Sequence, residues 1–401
     1  LLLTYSYVSL ISMLVYCGLQ SSFYRWYSLW DEESDKGIYE LAMVSLIGLF
    51  AVLALFFTWL FLFVFRINPL GVNEKLFVLV LIANFSLIPY SIRVSTWILS
   101  GKVHFNVVFL FLKGFIVYGA IFLAIDTYNS VYLRPVTEVL AFILVSMPIS
   151  ISLIQKLCNT TRQQFTDLIP IIKDSLAFGR RSLVLQIGLV FMAISDRIVV
   201  ERILQSEALA IYGVGMFALV LIAGVDAFIS AYSARANSLY SSYSNMYMIQ
   251  REQIIIIFAV WVGSNALKAL LHVFSKDIIM TLSNESYLDA TKLVSLPADI
   301  VFFQFLFQFI CRYFFAKNVL KPLIKPVIVA VILNIVLSVF LVRMYGMIGS
   351  VLSTMSVLFI LALYSEFTVI IRTSKSKAVL ILSLGLGLLQ MLLNWFMYVR
   401  I

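Results

Sequence analysis

Residues 41–65 read LAMVSLIGLFAVLALFFTWLFLFVF and contain no charged side chain. About 20 consecutive apolar residues are enough for a helix to cross the hydrocarbon core of a bilayer. The whole chain has the same character: its 401 residues are 62% hydrophobic and 12% charged, with a mean hydropathy of +1.02. Since a soluble domain carries about 25% charged residues, a soluble enzyme, a nucleic-acid-binding protein and a disulfide-rich scaffold are excluded. The sequence predicts an all-α, polytopic membrane protein.

On both sides of this segment the chain alternates between apolar segments and short polar breaks. No polar connection is long enough for an independent soluble domain. The segments long enough to span a membrane number about twelve, and we expect a transmembrane helix in each. They cover residues 1–19, 41–65, 76–99, 103–124, 135–154, 182–200, 209–232, 253–274, 293–315, 323–342, 347–371 and 378–399.

The basic residues give these helices an orientation. Lys and Arg number 29 against 20 Asp and Glu; seventeen of the 29 fall in alternate connections on one side, nine on the other and three within spans. The side with more Lys and Arg is cytoplasmic by the positive-inside rule, which predicts a multi-pass protein of the cytoplasmic (inner) membrane. Both chain ends then lie outside the cell. We therefore expect a further helix before Leu1, which would return the N-terminus to the cytoplasm. A further helix after Ile401 would do the same for the C-terminus.

Three stretches contain motifs with a family resemblance. Residues 178–215 read FGRRSLVLQIGLVFMAISDRIVVERILQSEALAIYGVG, and residues 326–358 read PVIVAVILNIVLSVFLVRMYGMIGSVLSTMSVL. Both resemble the O-antigen and polysaccharide flippases of the multidrug/oligosaccharidyl-lipid/polysaccharide (MOP) exporter superfamily, and GLQSSFYRWY at 18–27 is a weaker match. The matching residues are Gly18, Arg25, Asp196, Arg197, Glu207, Ile211, Tyr212, Asn334, Tyr345, Gly346, Gly349 and Thr354. The sequence departs from the family at Arg180 and Arg181, where a Pro is usual, and in lacking a Pro at 233–237.

The resemblance implies an architecture of two pseudo-symmetric helical lobes. The first segment would correspond to the family's second helix, so that one N-terminal helix is missing. Residues 1–155 would form an N-lobe of five helices, 156–181 a cytoplasmic linker, 182–371 a C-lobe of six helices and 372–401 an additional helix. The implied partners are a lipid-linked oligosaccharide as substrate, membrane lipids, a polysaccharide polymerase and a chain-length regulator, with no nucleic acid and no cofactor.

Three basic residues within spans are candidates for a substrate-binding lumen, because a cation at bilayer depth normally faces a cavity, a partner or the interface. Lys113 lies about ten residues from either end of its span, too deep to reach the interface easily, so a lumen position or a buried pair with a carboxylate is expected. Arg93 and Lys268 lie nearer to span ends and could instead extend their charged groups to the interface. Pro89, four residues before Arg93, can kink its helix.

The acidic residues within spans are candidates for binding a coupling proton or cation. Asp226, Asp299 and Glu366 each lie about six residues inside a span. Asp196 and Arg197 lie at the predicted external interface, where an ion pair between them and contact with substrate are both open. His104 and His272 are too separated to form a metal site, so no metal and no catalytic residue is predicted.

The leading functional hypothesis is a non-enzymatic flippase for an isoprenoid-diphosphate-linked oligosaccharide, such as an O-antigen or capsule repeat unit, working by alternating access. A cationic lumen would attract the diphosphate that hydrocarbon excludes. Two alternatives stay open: a cation-coupled drug or small-molecule antiporter of the same superfamily, and a membrane glycosyltransferase or polysaccharide polymerase.

Overall fold

The structure is a computed structural model of the chain. It describes residues 2–16, 18–19, 22–23, 26, 33–64, 73–100, 102, 104–105, 108, 112, 115–116, 133–158, 162–217, 228, 232, 246–283, 285–373 and 378–398. Every element in these ranges is helical, which confirms the predicted all-α class.

Apart from one long helix over residues 162–215, the described helices follow the predicted spans closely. They are α1 Leu2–Tyr16, α2 Glu33–Trp59 with a π-helical extension Leu60–Val64, α3 Glu74–Ser86, α4 Ile88–Leu99, α5 Leu133–Cys158, α6 Arg162–Gly215, α7 Met246–Val273, α8 Ser275–Leu282, a 3₁₀ helix Glu285–Lys292, α9 Pro297–Ala316, α10 Lys321–Tyr345, α11 Met347–Thr373 and α12 Ala378–Tyr398.

Eight helices within the described ranges are long and apolar enough to cross a membrane, or nine if the pair bent by 41° within α5 forms one span. Helix is the form expected in lipid, because it satisfies every backbone polar group within the segment. The predicted spans 103–124 and 209–232 fall largely outside the described residues. The chain is thus a multi-pass membrane protein.

Two helices are interrupted where the sequence gives a local reason. The segment predicted as 76–99 divides at Leu87 into α3 and α4, two residues before Pro89, whose ring removes a backbone donor. Within α6, Gln205 has φ 74° and ψ 172°, a conformation that costs a non-glycine residue about 1–3 kcal/mol. This break lies inside the polar link predicted between the spans 182–200 and 209–232.

The chain divides into two compact units, residues 1–187 and 188–401. In the first unit, an apolar cluster joins α1, α2 and α3 through residues such as Val8, Met43 and Val80. Gly18, with φ 66°, lies against the backbone of α6: a Cβ at this position would come within 2.2 Å of the Gly179 carbonyl oxygen. Helix α6 continues through Arg180 and Arg181, so the missing Pro leaves the helix intact there.

In the second unit, α9 is the most buried span, and its phenylalanines fill the core. The fully or almost fully buried ones are Phe302, Phe303, Phe305, Phe307, Phe309 and Phe314. By contrast, α10 exposes a row of large apolar side chains that includes Val329, Ile332, Val336 and Phe340. A helix that is apolar on its exposed face is expected where the surrounding medium is lipid.

Candidate functional site

In the first unit, Arg93 forms an ion pair with a buried carboxylate. Its Nε lies 2.9 Å from Oε1 of Glu40, and the side chains are 15% and 1% exposed, respectively. Arg93 comes from α4 and Glu40 from α2. The sequence placed Glu40 in a polar connection just before the span 41–65, so it was missed as a partner. The pair therefore gives the Arg93 side chain a buried carboxylate as its partner.

In the second unit, Lys268 and Asp299 form one buried pair, although the sequence assigned them to different roles. Lys268 Nζ lies 2.9 Å from Asp299 Oδ2, and both side chains are at most 6% exposed. Lys268 comes from α7 and Asp299 from the first turn of α9. A predicted lumen cation and a predicted ion-coupling carboxylate therefore neutralise each other.

Amide side chains of α12 complete the surroundings of this pair. Lys268 donates a hydrogen bond to Asn394 Oδ1, and Gln390 donates one to Asp299 Oδ1. The Gln390 Oε1 atom accepts hydrogen bonds from Trp261 Nε1 at 2.9 Å and from Asn265 Nδ2 at 3.0 Å. We call these six residues the Lys268 network. It joins α7, α9 and α12 through polar side chains within a hydrophobic span.

A second polar cluster brings together the family-like motif residues. Asp196 of α6 is 3% exposed and accepts hydrogen bonds from Asn334 Nδ2 and Ser338 Oγ, both at 3.0 Å, and from Thr354 Oγ1. Ser353 Oγ in turn donates to Asn334 Oδ1 at 3.1 Å. We call this set the Asp196 cluster. It fixes α6, α10 and α11 to one another.

Four other motif residues lie near members of this cluster in the chain. Tyr212 is buried at 3% exposure, and Arg197 follows Asp196 on α6. Gly346, at φ 62°, ends α10. A Cβ at Gly349 would approach the Leu341 carbonyl oxygen to 2.1 Å. The two glycines therefore shape the tight connection between α10 and α11. Asp196 is held by neutral donors in addition to the charge of the adjacent Arg197.

A cationic cavity lies along the first half of α6, and the sequence did not identify it as a site. Its volume is about 420 Å³, and the described residues that line it are Lys173, Leu176, Ala177, Arg180 and Leu183. Lys173 and Arg180 are seven residues apart, two helical turns, so they share one face. Both are exposed. The sequence placed them in a cytoplasmic linker, whereas this spacing was the signal that could have identified a basic helix face.

The other predicted site residues are distributed as follows. Glu366 lies on α11 with its side chain 1% exposed. Lys113, Asp226 and Arg25 lie outside the described residues, so their predicted roles stay predictions. Within the described ranges, no three His, Cys, Asp or Glu side chains are grouped as a metal site would require.

Comparison with known proteins identifies the class of fold. No protein-family profile and no curated protein sequence matches the chain, but solved membrane transporters do. One of them is a MOP-superfamily transporter from Pyrococcus furiosus, described as having a binding pocket of reverse polarity that suggests a different function. Its sequence is 15% identical, its TM-score is 0.65, and the match covers 92% of this chain and 86% of that one.

Two further solved structures agree. A multidrug-resistance MATE-family transporter of the MOP superfamily, in its outward-facing conformation, is 14% identical with a TM-score of 0.65 and the same coverage. The Vibrio cholerae MATE transporter VcmN in its bent form is 12% identical, with a TM-score of 0.64 and coverage of 90% and 85%. The chain thus has the fold of the MOP-superfamily transporters. At these identities the likeness concerns the fold.

Proposed function

We propose that the chain is an exporter of the MOP superfamily that translocates an isoprenoid-diphosphate-linked oligosaccharide across the cytoplasmic membrane. The observation that supports this substrate class is the cavity lined by Lys173 and Arg180 in a protein with the MOP fold. A diphosphate and acidic sugars are excluded from hydrocarbon, and a cavity with two cations lowers the cost of accepting them.

The charges buried within the spans support the same substrate. An exporter of cationic drugs is expected to present uncompensated carboxylates to its substrate. Here the buried carboxylates of Glu40 and Asp299 are each paired with a basic side chain, whereas the exposed Lys173 and Arg180 form no ion pair with another residue in the described ranges. At these three sites the charge left over is positive, which favours an anionic substrate. The buried Asp196 carboxylate, whose hydrogen-bond donors are neutral, is not part of this balance.

A cation-coupled drug antiporter is the second candidate. The observation in its favour is the similarity in fold to a transporter described as a multidrug-resistance protein. The buried Asp196 carboxylate would be a place for a coupling cation in that case. A glycosyltransferase or polymerase has less support, because these solved neighbours are transporters.

The test is translocation by the purified protein in vesicles. The probe is a fluorescent isoprenyl diphosphate that carries a short oligosaccharide, and a membrane-impermeant quencher reports the fraction on the outer face. A charge-assisted contact to phosphate contributes about 1.5–3 kcal/mol. Losing both contacts removes at least about 3 kcal/mol, so the double replacement Lys173→Gln and Arg180→Gln should slow translocation by at least roughly 100-fold.

A matched control replaces two exposed lysines elsewhere, Lys276→Gln and Lys321→Gln, and should keep the rate of the unmodified protein. Size-exclusion chromatography checks that each variant is folded. The proposal fails if the protein transports a cationic dye but not the lipid-linked saccharide, or if the Lys173/Arg180 double variant translocates the probe normally.

A further inference from the structure

An apolar groove runs between α10 and α11 in the second unit. Its volume is about 340 Å³, within the range of small-molecule sites. The lining residues are Lys325, Pro326, Val329, Ala330, Leu333, Val357, Ile360, Leu361 and Tyr364. None of these residues lines the cationic cavity on α6 or belongs to either polar cluster.

The groove has a closed floor and open walls. Ala330, Val357 and Leu361 form the floor and are at most 6% exposed, whereas Val329 and Ile360 are 61% and 51% exposed, respectively. Ala330 contributes the small side chain that leaves room between the two helices. The groove therefore opens sideways from the helix pair, in the direction where lipid is expected.

The polar lining residues lie toward one end. Lys325 occupies the first turns of α10, at the end that the basic residues predict to be cytoplasmic, and Leu333 lies eight residues deeper. At 1.5 Å per residue these positions are separated by about 12 Å along the helix axis. One leaflet accounts for half of a hydrocarbon core of about 30 Å. A chain lying from Lys325 to Leu333 would thus stay within a single leaflet.

We propose that this groove binds an anionic phospholipid of the cytoplasmic leaflet. The phosphate pairs with the Lys325 ammonium, the Tyr364 hydroxyl is available to donate to the headgroup, and one acyl chain packs along Val329, Ala330 and Leu333. Basic pockets between transmembrane helices on the cytoplasmic side are typical sites for anionic headgroups. The exposed Lys321, one turn before Lys325, adds to the positive potential at the same end.

Charge complementarity favours this occupant over the alternatives. A helix from a second copy would place apolar residues along the whole of α10 and would gain nothing from a lysine at the mouth of the groove. A zwitterionic phospholipid would bring a cation of its own to Lys325. An isoprenyl phosphate shares the phosphate but has a longer, methyl-branched tail that would extend beyond Leu333, so the binding test must separate the two.

The experiment is a lipid titration of the purified protein followed by native mass spectrometry. Phosphatidylglycerol should bind with at least one site of higher affinity than phosphatidylcholine of the same chain length. Lys325→Gln should weaken that site about five-fold, the loss expected for one basic residue near an anionic headgroup. Lys276→Gln, an exposed lysine outside the groove, should leave it unchanged.

A second variant tests the apolar part without altering charge. Ala330→Phe fills the floor of the groove and should remove the phosphatidylglycerol site while Lys325 is still present. Equal binding of the two phospholipids, an unchanged affinity in Lys325→Gln, or preferential occupancy by an isoprenyl phosphate would each overturn the proposal. So would a protein that forms dimers through this face and excludes lipid. Translocation activity plays no part in the readout, so the result is independent of the exporter assay.

Discussion

Removing the charge of Lys268 tests whether its network stabilises the fold. Lys268→Met keeps most of the apolar stem but leaves the Asp299 carboxylate in a span without its cation. Both side chains are at most 6% exposed, and their charged atoms are 2.9 Å apart. Breaking one partner of such a buried pair costs about 3–5 kcal/mol. We therefore expect Lys268→Met to unfold at a clearly lower denaturant concentration than the unmodified protein.

The double variant Lys268→Met with Asp299→Leu tests whether the loss of stability comes from the unpaired carboxylate. It removes both charges, so the cost of an unpaired carboxylate disappears, and replacing a buried pair by apolar residues is often neutral or stabilising. The double variant should recover most of the stability lost in Lys268→Met. Unfolding in a denaturing detergent, followed by tryptophan fluorescence, compares four proteins: the unmodified chain, the single variants Lys268→Met and Asp299→Leu, and the double variant.

Lys276→Met serves as the control, because Lys276 is an exposed lysine of α8, and it should change stability by less than about 0.5 kcal/mol. Two results would show that the Lys268–Asp299 pair does not stabilise the fold in this way. One is a Lys268→Met protein as stable as the unmodified chain. The other is a double variant that loses the sum of the two single losses, since additivity would mean that the charges do not interact.

Three further predictions concern packing, topology and the substrate lumen. Gly349→Ala should lower the yield of folded protein, because its Cβ would lie 2.1 Å from a backbone oxygen. Gly385→Ala, whose Cβ would have nothing within 4 Å, should instead stabilise α12 by up to about 1 kcal/mol. Size-exclusion profiles compare the two variants, and equal yields would contradict the packing at Gly349. In a protein whose native cysteines are replaced, Lys321→Cys should react with an impermeant thiol reagent only from the cytoplasm, and Glu285→Cys only from outside. The reverse pattern would show that the predicted orientation in the membrane is wrong. Lys113→Met should reduce glycan export at normal protein abundance, and Lys113→Arg should retain it; full export by the Met variant would remove Lys113 from the lumen.

The sequence predicted the fold class well because that information is local. Apolar length alone places a helix in lipid, so α2, α9, α10, α11 and α12 could be located from runs of residues. The resemblance to an exporter superfamily also agrees with the fold found among solved structures. The oligosaccharide substrate and the inner-membrane location stay predictions.

Pairing between helices could not be predicted in the same way. Asp196 and Asn334 lie 138 residues apart in the chain, and the sequence offered Asp196 only the adjacent Arg197 or the substrate as a partner. Lys268 and Asp299 were assigned separately because periodicity says which face a residue occupies but not which helix it meets. Glu40 was missed for a related reason: a carboxylate at the edge of an apolar run looks solvated until a partner is found.

Helix continuity was the other limit. The sequence divided the chain at 156–181 because several charges interrupt the hydropathy there. The structure has helix from Arg162 onward, since charged residues do not prevent helix formation when Gly and Pro are few and one face stays apolar. As a result, Lys173 and Arg180 lie on one face of a helix, whereas the division of the chain into lobes and a linker stays a prediction.

The Lys268 network also implies an order of events during biosynthesis. Helices α7 and α9 are synthesised before α12, and each brings one charge into the bilayer. Because Lys268 and Asp299 lie near helix ends, each costs less at insertion than the about 2.5–3.5 kcal/mol of a central Lys or Asp. The two charges can meet as soon as α9 enters. Helix α12 contributes only the uncharged amides Gln390 and Asn394 to the contact. It is therefore the last of these three helices to join the network, and a chain that stops before residue 378 would have both members of the ion pair but would lack their amide partners.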